Sequence, residues 1–328
     1  MTSILTNNSA MNALSTLRNI NNNLSTTQDR ISSGLKVSSA KDNAAYFAIS
    51  STMKGDSASI KSINEGLTLT KNSIATARLG AENFKDLATQ FTERLAFAQG
   101  AKGGFAEIGK ELDELVKQMS TTISQSTFNG DNLVNAGGTF DEADLGDLVW
   151  DATEQTYSDD QFATKTVSNK EIVTGVTRAG DGFEVTKISI TTVDLAAMLE
   201  DFKVISANFA TNAVLDTAVT VDVDGDDVQV STQGERFLQA ALKHSTAVLA
   251  DATNAATSLG LSEKAITTQQ SFLSALTDNI NSGIGSMVDA NMEDEATRLQ
   301  ALQVQQQLAT QALSIANQGP QNILSLFR

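Results

Sequence analysis

The chain has 328 residues, a formal net charge of −16, one histidine and no cysteine. Disulfides, thiolate metal sites and thiol catalysis are thereby excluded, as are HExxH and any polyhistidine metal site, and the acidity argues against nucleic-acid binding, because phosphate needs a positive face. A single proline stands where ordinary usage gives roughly sixteen, which implies long uninterrupted helices.

The first 35 residues place Ala10, Leu17, Leu24 and Ile31 seven apart, with Ala13, Leu14 and Ile20 on the neighbouring face. Only Arg18, Asp29 and Arg30 are charged there. With no basic leader and no continuous apolar run, the segment is neither a secretory signal peptide nor a membrane span. Export, if it occurs, needs a route without cleavage.

From Ile60 a heptad seam runs through Ile63, Leu67, Thr70, Ile74, Ala77, Ala81, Phe84, Ala88, Phe91 and Leu95 to Ala98. Glycines in GAKGG (100–104) break it, and the rhythm resumes at Phe105, Ile108, Leu112, Leu115, Met119 and Thr122. A third seam follows Leu238, Ala241, Ser245, Val248, Ala252, Ala255, Leu259, Ser262, Ile266, Gln269, Leu273, Leu276 and Ile280. Three such seams call for one another as partners, the first and third antiparallel. An ordinary globular bundle is the plain alternative.

Between the seams, residues 139–235 hold 20 acidic and 5 basic side chains, leaving 19 acids and 18 bases to the flanks. This acidic stretch reads as solvent-facing and as a small α+β insert. FEVTKISI follows the turn AGDG (179–182), and VTVDV meets DDVQV across Asp224-Gly225, with a short helix near Val193 to Lys203. Asp222, Asp224, Asp226 and Asp227 resemble half a calcium loop, but Ser231 stands where the bidentate Glu belongs. A solvated hairpin turn is the other reading. His244, in the alanine-rich stretch FLQAALKHSTAVLADA, is read as exposed or packed; a catalytic role is the alternative.

The last segment, Leu299 to Phe327, carries no charged side chain. Leu299, Leu302, Ala309, Leu313 and Ala316 form one stripe, and Val304, Leu308 and Ile315 a second. Two stripes mean more than one packing partner. Burial by a single partner helix does not clearly offset the entropy of ordering either terminal segment. Both ends are therefore expected to be disordered in the isolated chain and helical once copies of it surround them. Uncharged polar residues suit faces that other subunits cover, where unpaired charge is costly. A helix lying on a membrane is the competing reading, but its polar face would carry Lys and Arg.

TTQDRISSGLKVSSAKDNAAYFAIS (26–50) and RLQALQVQQQLATQALSIANQ (298–318) closely resemble bacterial flagellin, over roughly residues 1–135 and 236–328. Ser33-Gly34-Leu35-Lys36-Val37 and Ala40-Lys41-Asp42 agree with that family. Asn43 stands where enteric members have Asp, and Tyr46 where they have Gly, departures similar to those of alphaproteobacterial flagellins.

The resemblance implies a mainly α fold, with a long antiparallel coiled-coil helical core built from the N- and C-terminal segments and a central α+β insert domain. Residues 1–40 and 290–328 would be terminal helices of a filament's inner core, 41–138 and 236–289 a helical rod, and 139–235 a variable acidic outer domain. Inner-core subunit contacts are expected at Leu14, Leu17, Ile20, Leu24, Ile31, Leu35, Leu299, Leu302, Leu308, Leu313 and Ile315. Rod-core positions are Ile60, Ile63, Leu67, Ile74, Phe84, Phe91, Leu95, Leu112, Leu115, Leu259, Ile266, Leu273 and Leu276. A secretion chaperone would hold Ile323, Leu324, Leu326 and Phe327. The implied partners are many copies of the chain itself, alone or with other flagellins, together with the flagellar export apparatus, the filament cap and hook-associated proteins. Neither nucleic acid nor membrane insertion is implied. The implied function is a structural subunit of an extracellular swimming filament, exported without a cleaved signal peptide, with no enzymatic activity, no cofactor and no metal. A hook–filament junction protein of the same architecture is one alternative, and an enzyme displayed on a filament through the insert is another, weakened by the missing HExxH.

Overall fold

A computed structural model of the chain describes residues 7–135, 150–151, 156–157, 169–179, 182–216, 218–223 and 226–326. It divides into two compact units, Met1–Ser59 with Ala275–Arg328, and Ile60–Ser274.

In the first unit, helix α1 (Asn8–Ser33) starts at Asn7, whose side-chain carbonyl accepts from the Ala10 amide at 3.1 Å. It stops at Gly34, where φ is 71° and the amide donates to the Arg30 carbonyl at 2.8 Å. A left-handed cap of this kind suits glycine, which has no Cβ to clash. Helix α6 (Met292–Leu326) runs antiparallel to α1. Asn7 Nδ2 donates to the Ala316 carbonyl at 2.8 Å, Gln306 Nε2 to Asn21 Oδ1 at 2.7 Å, and Arg30 pairs with Glu295 at 3.1 Å. The two ends, expected to be disordered in the lone chain, are here paired helices. Each supplies the other with the one partner that the sequence arithmetic treated as insufficient.

Helix α2 (Ala44–Gly100) begins in this unit, and helix α5 (Gln233–Val288) ends in it. The connector after α1 is pinned to the end of α5. Lys36 and Val37 donate to the Val288 carbonyl at 2.6 and 3.2 Å, and Ala290 donates back to the Gly34 carbonyl at 2.9 Å. Beneath these bonds lies a small apolar cluster of Val37, Ile284 and Val288, edged by Leu35, Met53, Ile280 and Met287.

In the second unit α2 and α5 also run antiparallel. Asn64 bonds Ser274 at 3.1 Å, Gln270 bonds Thr68 at 2.9 Å, and Arg78 pairs with Glu263 at 2.9 Å. The α2 seam is buried at Ile60, Leu67, Ile74, Ala77, Ala81, Phe84, Ala88, Phe91, Leu95 and Ala98. On α5, Leu238, Ala241, Ser245, Val248, Ala252, Ala255, Leu259, Ile266 and Leu273 are buried in the same way. Ile63 and Leu276 are half-buried. Helix α3 (Phe105–Gln125) departs from its expected register: it buries Ile108, Leu112, Val116, Met119 and Ile123, while Leu115 and Thr122 are only half-buried. A short helix with partners on two sides keeps the 3.6-residue period of a straight helix, so its inner face drifts off a 3.5-residue heptad.

One of those partners is helix α4 (Leu195–Asn212), 18 residues long and well beyond the short helix expected near Val193 to Lys203. Nor does it face solvent, as the charge of its surroundings suggested. Leu195, Phe202, Ile205 and Phe209 are fully buried. Phe202 stacks edge-on against Phe91 at 4.7 Å and lies 6.1 Å from Phe84, while Phe209 lies 6.3 Å from Phe105 and 6.4 Å from Phe237. A helix apolar on nearly every side is a core helix. Asp194 caps it by accepting from the Ala197 amide at 3.0 Å.

The described strands form three two-stranded antiparallel sheets. They are β1 (Trp150–Asp151) with β2 (Thr156–Tyr157), β3 (Asn169–Ala179) with β4 (Gly182–Thr191), and β5 (Ala218–Val223) with β6 (Asp226–Thr232). A bulge between Val173 and Gly175 bends β3, and Gln269 of α5 donates to the Thr174 carbonyl there at 2.9 Å. Val223 pairs directly with Asp226 and Asp222 with Asp227, so the aspartates of the half calcium loop flank a hairpin turn whose Asp224 lies outside the described residues. Among the described residues, no group of three or more acids and histidines could hold a metal ion.

Candidate assembly surface

The charge-poor ends meet along α1 and α6. Facing residues recur every three or four positions, as two antiparallel helices require. On α1, Ala10, Ala13, Leu17, Ile20, Leu24 and Ile31 are half-buried, and Thr27 is the one fully buried residue. On α6, Leu302 is buried and Leu299, Ala309, Leu313 and Ala316 are half-buried. Two helices alone cannot enclose a stripe, so almost every facing residue keeps one side in water.

The other stripe of α6 has no partner among the described residues: Val304 is 55%, Leu308 58% and Ile315 69% exposed. Met11 and Leu14 stand exposed on α1 as well. Among the residues expected to touch other subunits, the fold thus separates two groups. Leu17, Ile20, Leu24, Ile31, Leu299, Leu302 and Leu313 face the partner helix, whereas Leu14, Leu308 and Ile315 face outward. Leu35 belongs to neither group, since it sits in the connector against the cluster of Val37, Ile284 and Val288. Ile323, Leu324 and Leu326 fall on the end of α6, where the backbone alone is described, and Phe327 lies outside the described residues.

One ion pair bridges the two helices. Arg30 meets Glu295 at the base of the pair, where the carboxylate is 10% exposed. Just beyond it, the connector carries a second carboxylate arrangement: Asp42 accepts the amides and hydroxyls of both Ser38 and Ser39 at 3.0–3.1 Å. Those bonds, the Ser39 amide first, hold its carboxyl below the usual value of 3.8.

His244, the residue a hydrolytic site would need, is packed. Its Nε2 lies 3.5 Å from Asp201 Oδ2, joining α5 to α4. No helix among the described residues is long and apolar enough to cross a membrane.

Sequence reasoning missed two features that shape the second unit. The turn after α3 places Asn129 (φ 52°) and Gly130 (φ 83°) in the left-handed region, with Phe128 and Asp131 bonded across it at 2.9 Å. The dipeptide Asn-Gly is the signal that could have found it. The depth of α4 is the other, and its run LAAMLEDFKVISANF carried that signal in an apolar pattern too broad for a surface helix.

Two family models match the chain. The bacterial flagellin N-terminal helical region matches residues 4–139, and the bacterial flagellin C-terminal helical region matches residues 242–327. A flagellin of Brucella melitensis biotype 1 is 35% identical over 334 residues, covering 100% of both chains. Flagellin A of Rhizobium meliloti (strain 1021) is 33% identical over 396 residues, again covering 100% of both. Among solved structures, a putative flagellar hook-associated protein from Vibrio parahaemolyticus overlaps 76% of this chain and 100% of its own, with a TM-score of 0.49 and 10% identity, a likeness too loose to carry an argument.

Proposed function

Because the chain belongs to the bacterial flagellin family, of the alphaproteobacterial type, and is a structural subunit that polymerises into the flagellar filament, we propose that its α1–α6 pair is half of an interior that neighbouring copies complete. The observation that carries this is the outer stripe of Val304, Leu308 and Ile315, exposed on a helix with no charge from Leu299 to Phe327. Exposed apolar surface of this kind marks a contact site.

Residues 1–40 and 290–328 then form the filament's inner core and 41–138 and 236–289 the rod, with α4 packed into the rod and the remainder of 139–235 as the outer part. The α1–α6 pair, buried on one stripe only, is marginal in the lone chain and becomes firmly ordered when copies cover its outer stripes, so that folding and assembly are coupled. Leu14, Leu308 and Ile315 touch other subunits, while Leu17, Leu24, Leu302 and their neighbours hold the pair together. The chain leaves the cell through the flagellar export apparatus without a cleaved signal peptide. A secretion chaperone covers Ile323, Leu324, Leu326 and Phe327, and cap and hook-associated proteins bound the finished filament. The chain performs no catalysis.

Deleting residues 299–328 tests this reading. The truncated chain should keep the thermal transition of its second unit and fail to elongate filament seeds. Growth at the full-length rate would refute it.

A further inference from the structure

The start of α2 carries an apolar surface that the terminal stripes do not account for. Tyr46, Phe47 and Ile49 are 45%, 37% and 48% exposed. From Asn43 to Met53 there is no charged residue, whereas charges recur along α2 from Lys54 onward. Tyr46 and Phe47 lie one helical turn before Ser50, which is 3% exposed. They therefore continue the packed face of α2 past the point where the described residues cover it.

This surface is rigidly presented. Asn43 caps α2, its side-chain carbonyl accepting from the amides of Ala45 and Tyr46 at 3.1 Å. Asp42 ties down Ser38 and Ser39, and Lys36 and Val37 are fastened to Val288. Single exposed apolar residues are ordinary on a protein surface, but three large ones in an uncharged run on a fixed helix start form a contact surface.

We propose that the Tyr46, Phe47 and Ile49 surface docks a second copy of the chain, and that the segment seated on it is the outer stripe of that copy's α6, at Val304, Leu308 and Ile315. The inference rests on the filament reading and deepens it. Charge and clustering together narrow the choice of site: Phe272, 58% exposed in an uncharged run, stands there as a single large side chain, whereas three stand together at the start of α2. Leu79, Phe97 and Leu261 are also exposed, but each stands beside ionised groups: Arg78 and Glu82, Glu93 and Arg94, Glu263 and Lys264. An uncharged glutamine-rich helix laid there would strip water from those charges and offer them no partner. At the start of α2 it would desolvate apolar and hydroxyl groups alone. Both surfaces are exposed in one and the same chain, so neither satisfies the other internally. A contact between two different patches is heterologous, and repeated contacts of that kind generate open helical polymers instead of closed dimers.

Because the chain contains no cysteine, an introduced pair is unique. Ile49→Cys together with Leu308→Cys, assembled on seeds and treated with a short bis-maleimide, should give a ladder of covalent multimers. The same protein kept dilute and unassembled should give none. Filaments that form and yield no ladder, or a ladder only when Leu14→Cys replaces Leu308→Cys, overturn the proposal. If the cysteine pair does not assemble, Tyr46→Ser with Ile49→Ser decides. Its critical concentration for growth should rise at least tenfold with the second unit's thermal transition unchanged, and a wild-type critical concentration overturns the proposal. Failure of the unaltered chain to grow on seeds would instead sink the filament reading itself, so the two failures are distinguishable.

Discussion

Gly80 on α2 and Ser126 at the end of α3 approach so closely that a methyl group built on the glycine would stand 1.9 Å from the serine hydroxyl and 2.7 Å from its Cβ. Ser126 is buried and donates back to the Thr122 carbonyl at 2.6 Å, so it has little room to yield. Gly80→Ala should therefore lower the stability of the second unit by about 1–3 kcal/mol, against a gain of up to ~1 kcal/mol from alanine's better helix propensity. Adding Ser126→Gly should recover most of the loss. Thermal denaturation of the two variants checks this, and a more stable Gly80→Ala protein would show that the approach is loose.

Phe202 anchors α4 between Phe84 and Phe91 with no exposed surface. Phe202→Ala should cost about 3–5 kcal/mol. Its signature would be an earlier unfolding transition of the rod and exposure of α4 to limited proteolysis.

Arg30 pairs with Oε1 of the Glu295 carboxylate, whose second oxygen is buried with no hydrogen-bond partner among the described residues. Arg30→Ala leaves that charge in place and uncompensated, at a cost on the order of 1–3 kcal/mol. Arg30→Met combined with Glu295→Gln should be milder than Arg30→Ala. Amide exchange along α1 and α6 reads the difference: the single variant should speed exchange in both helices and leave α3 and α4 as they were.

Asp42 makes the connector acid-sensitive. Its native carboxyl is held below 3.8 by the Ser39 amide, the Ser38 hydroxyl, the Ser38 amide and the Ser39 hydroxyl, in that order. A depressed native value means that the ionised form is stabilised by folding. The contribution is fully present above the unfolded value, near 3.8, and is lost as pH falls through the lower native value. Protection of the Ser38 and Ser39 amides should be flat above that range and fall below it. Asp42→Asn should show low protection at every pH.

The two stripes of α6 should separate genetically. Leu308→Ser with Ile315→Ser removes exposed side chains, so the isolated chain should keep its helix content while growth on seeds drops at least tenfold, the equivalent of ~1.4 kcal/mol. Leu302→Ala, at a buried position, should instead loosen the α1–α6 pair before any assembly begins.

Several elements were legible before any coordinates. The seams of α2 and α5 were readable at most of their positions from Ile60 to Ala98 and from Leu238 to Leu273, because a heptad sustained over many turns admits one helical face. The β5–β6 hairpin was readable from Asp224-Gly225 and β4 from the turn AGDG before it, the β1–β2 pair was not, and the uncharged ends were readable from composition. α3 was readable as a helix from Phe105, but its inner face falls on Val116 and Ile123 instead of Leu115 and Thr122, because a helix with two partners keeps its own 3.6-residue period. α4 was underestimated because net charge over 97 residues says where acids are numerous, not which face of one helix is dry.

By itself, then, the sequence determined the seams of α2 and α5, the β5–β6 hairpin and the family, since periodicity, turn chemistry and terminal motifs are local properties of a chain. Only the tertiary structure decided which of α6's two stripes stays in water, that α4 is buried against α2, α3 and α5, and that Tyr46, Phe47 and Ile49 outrun their cover. Each of these depends on what stands opposite a residue, and distance across the fold is written nowhere in the order of the residues.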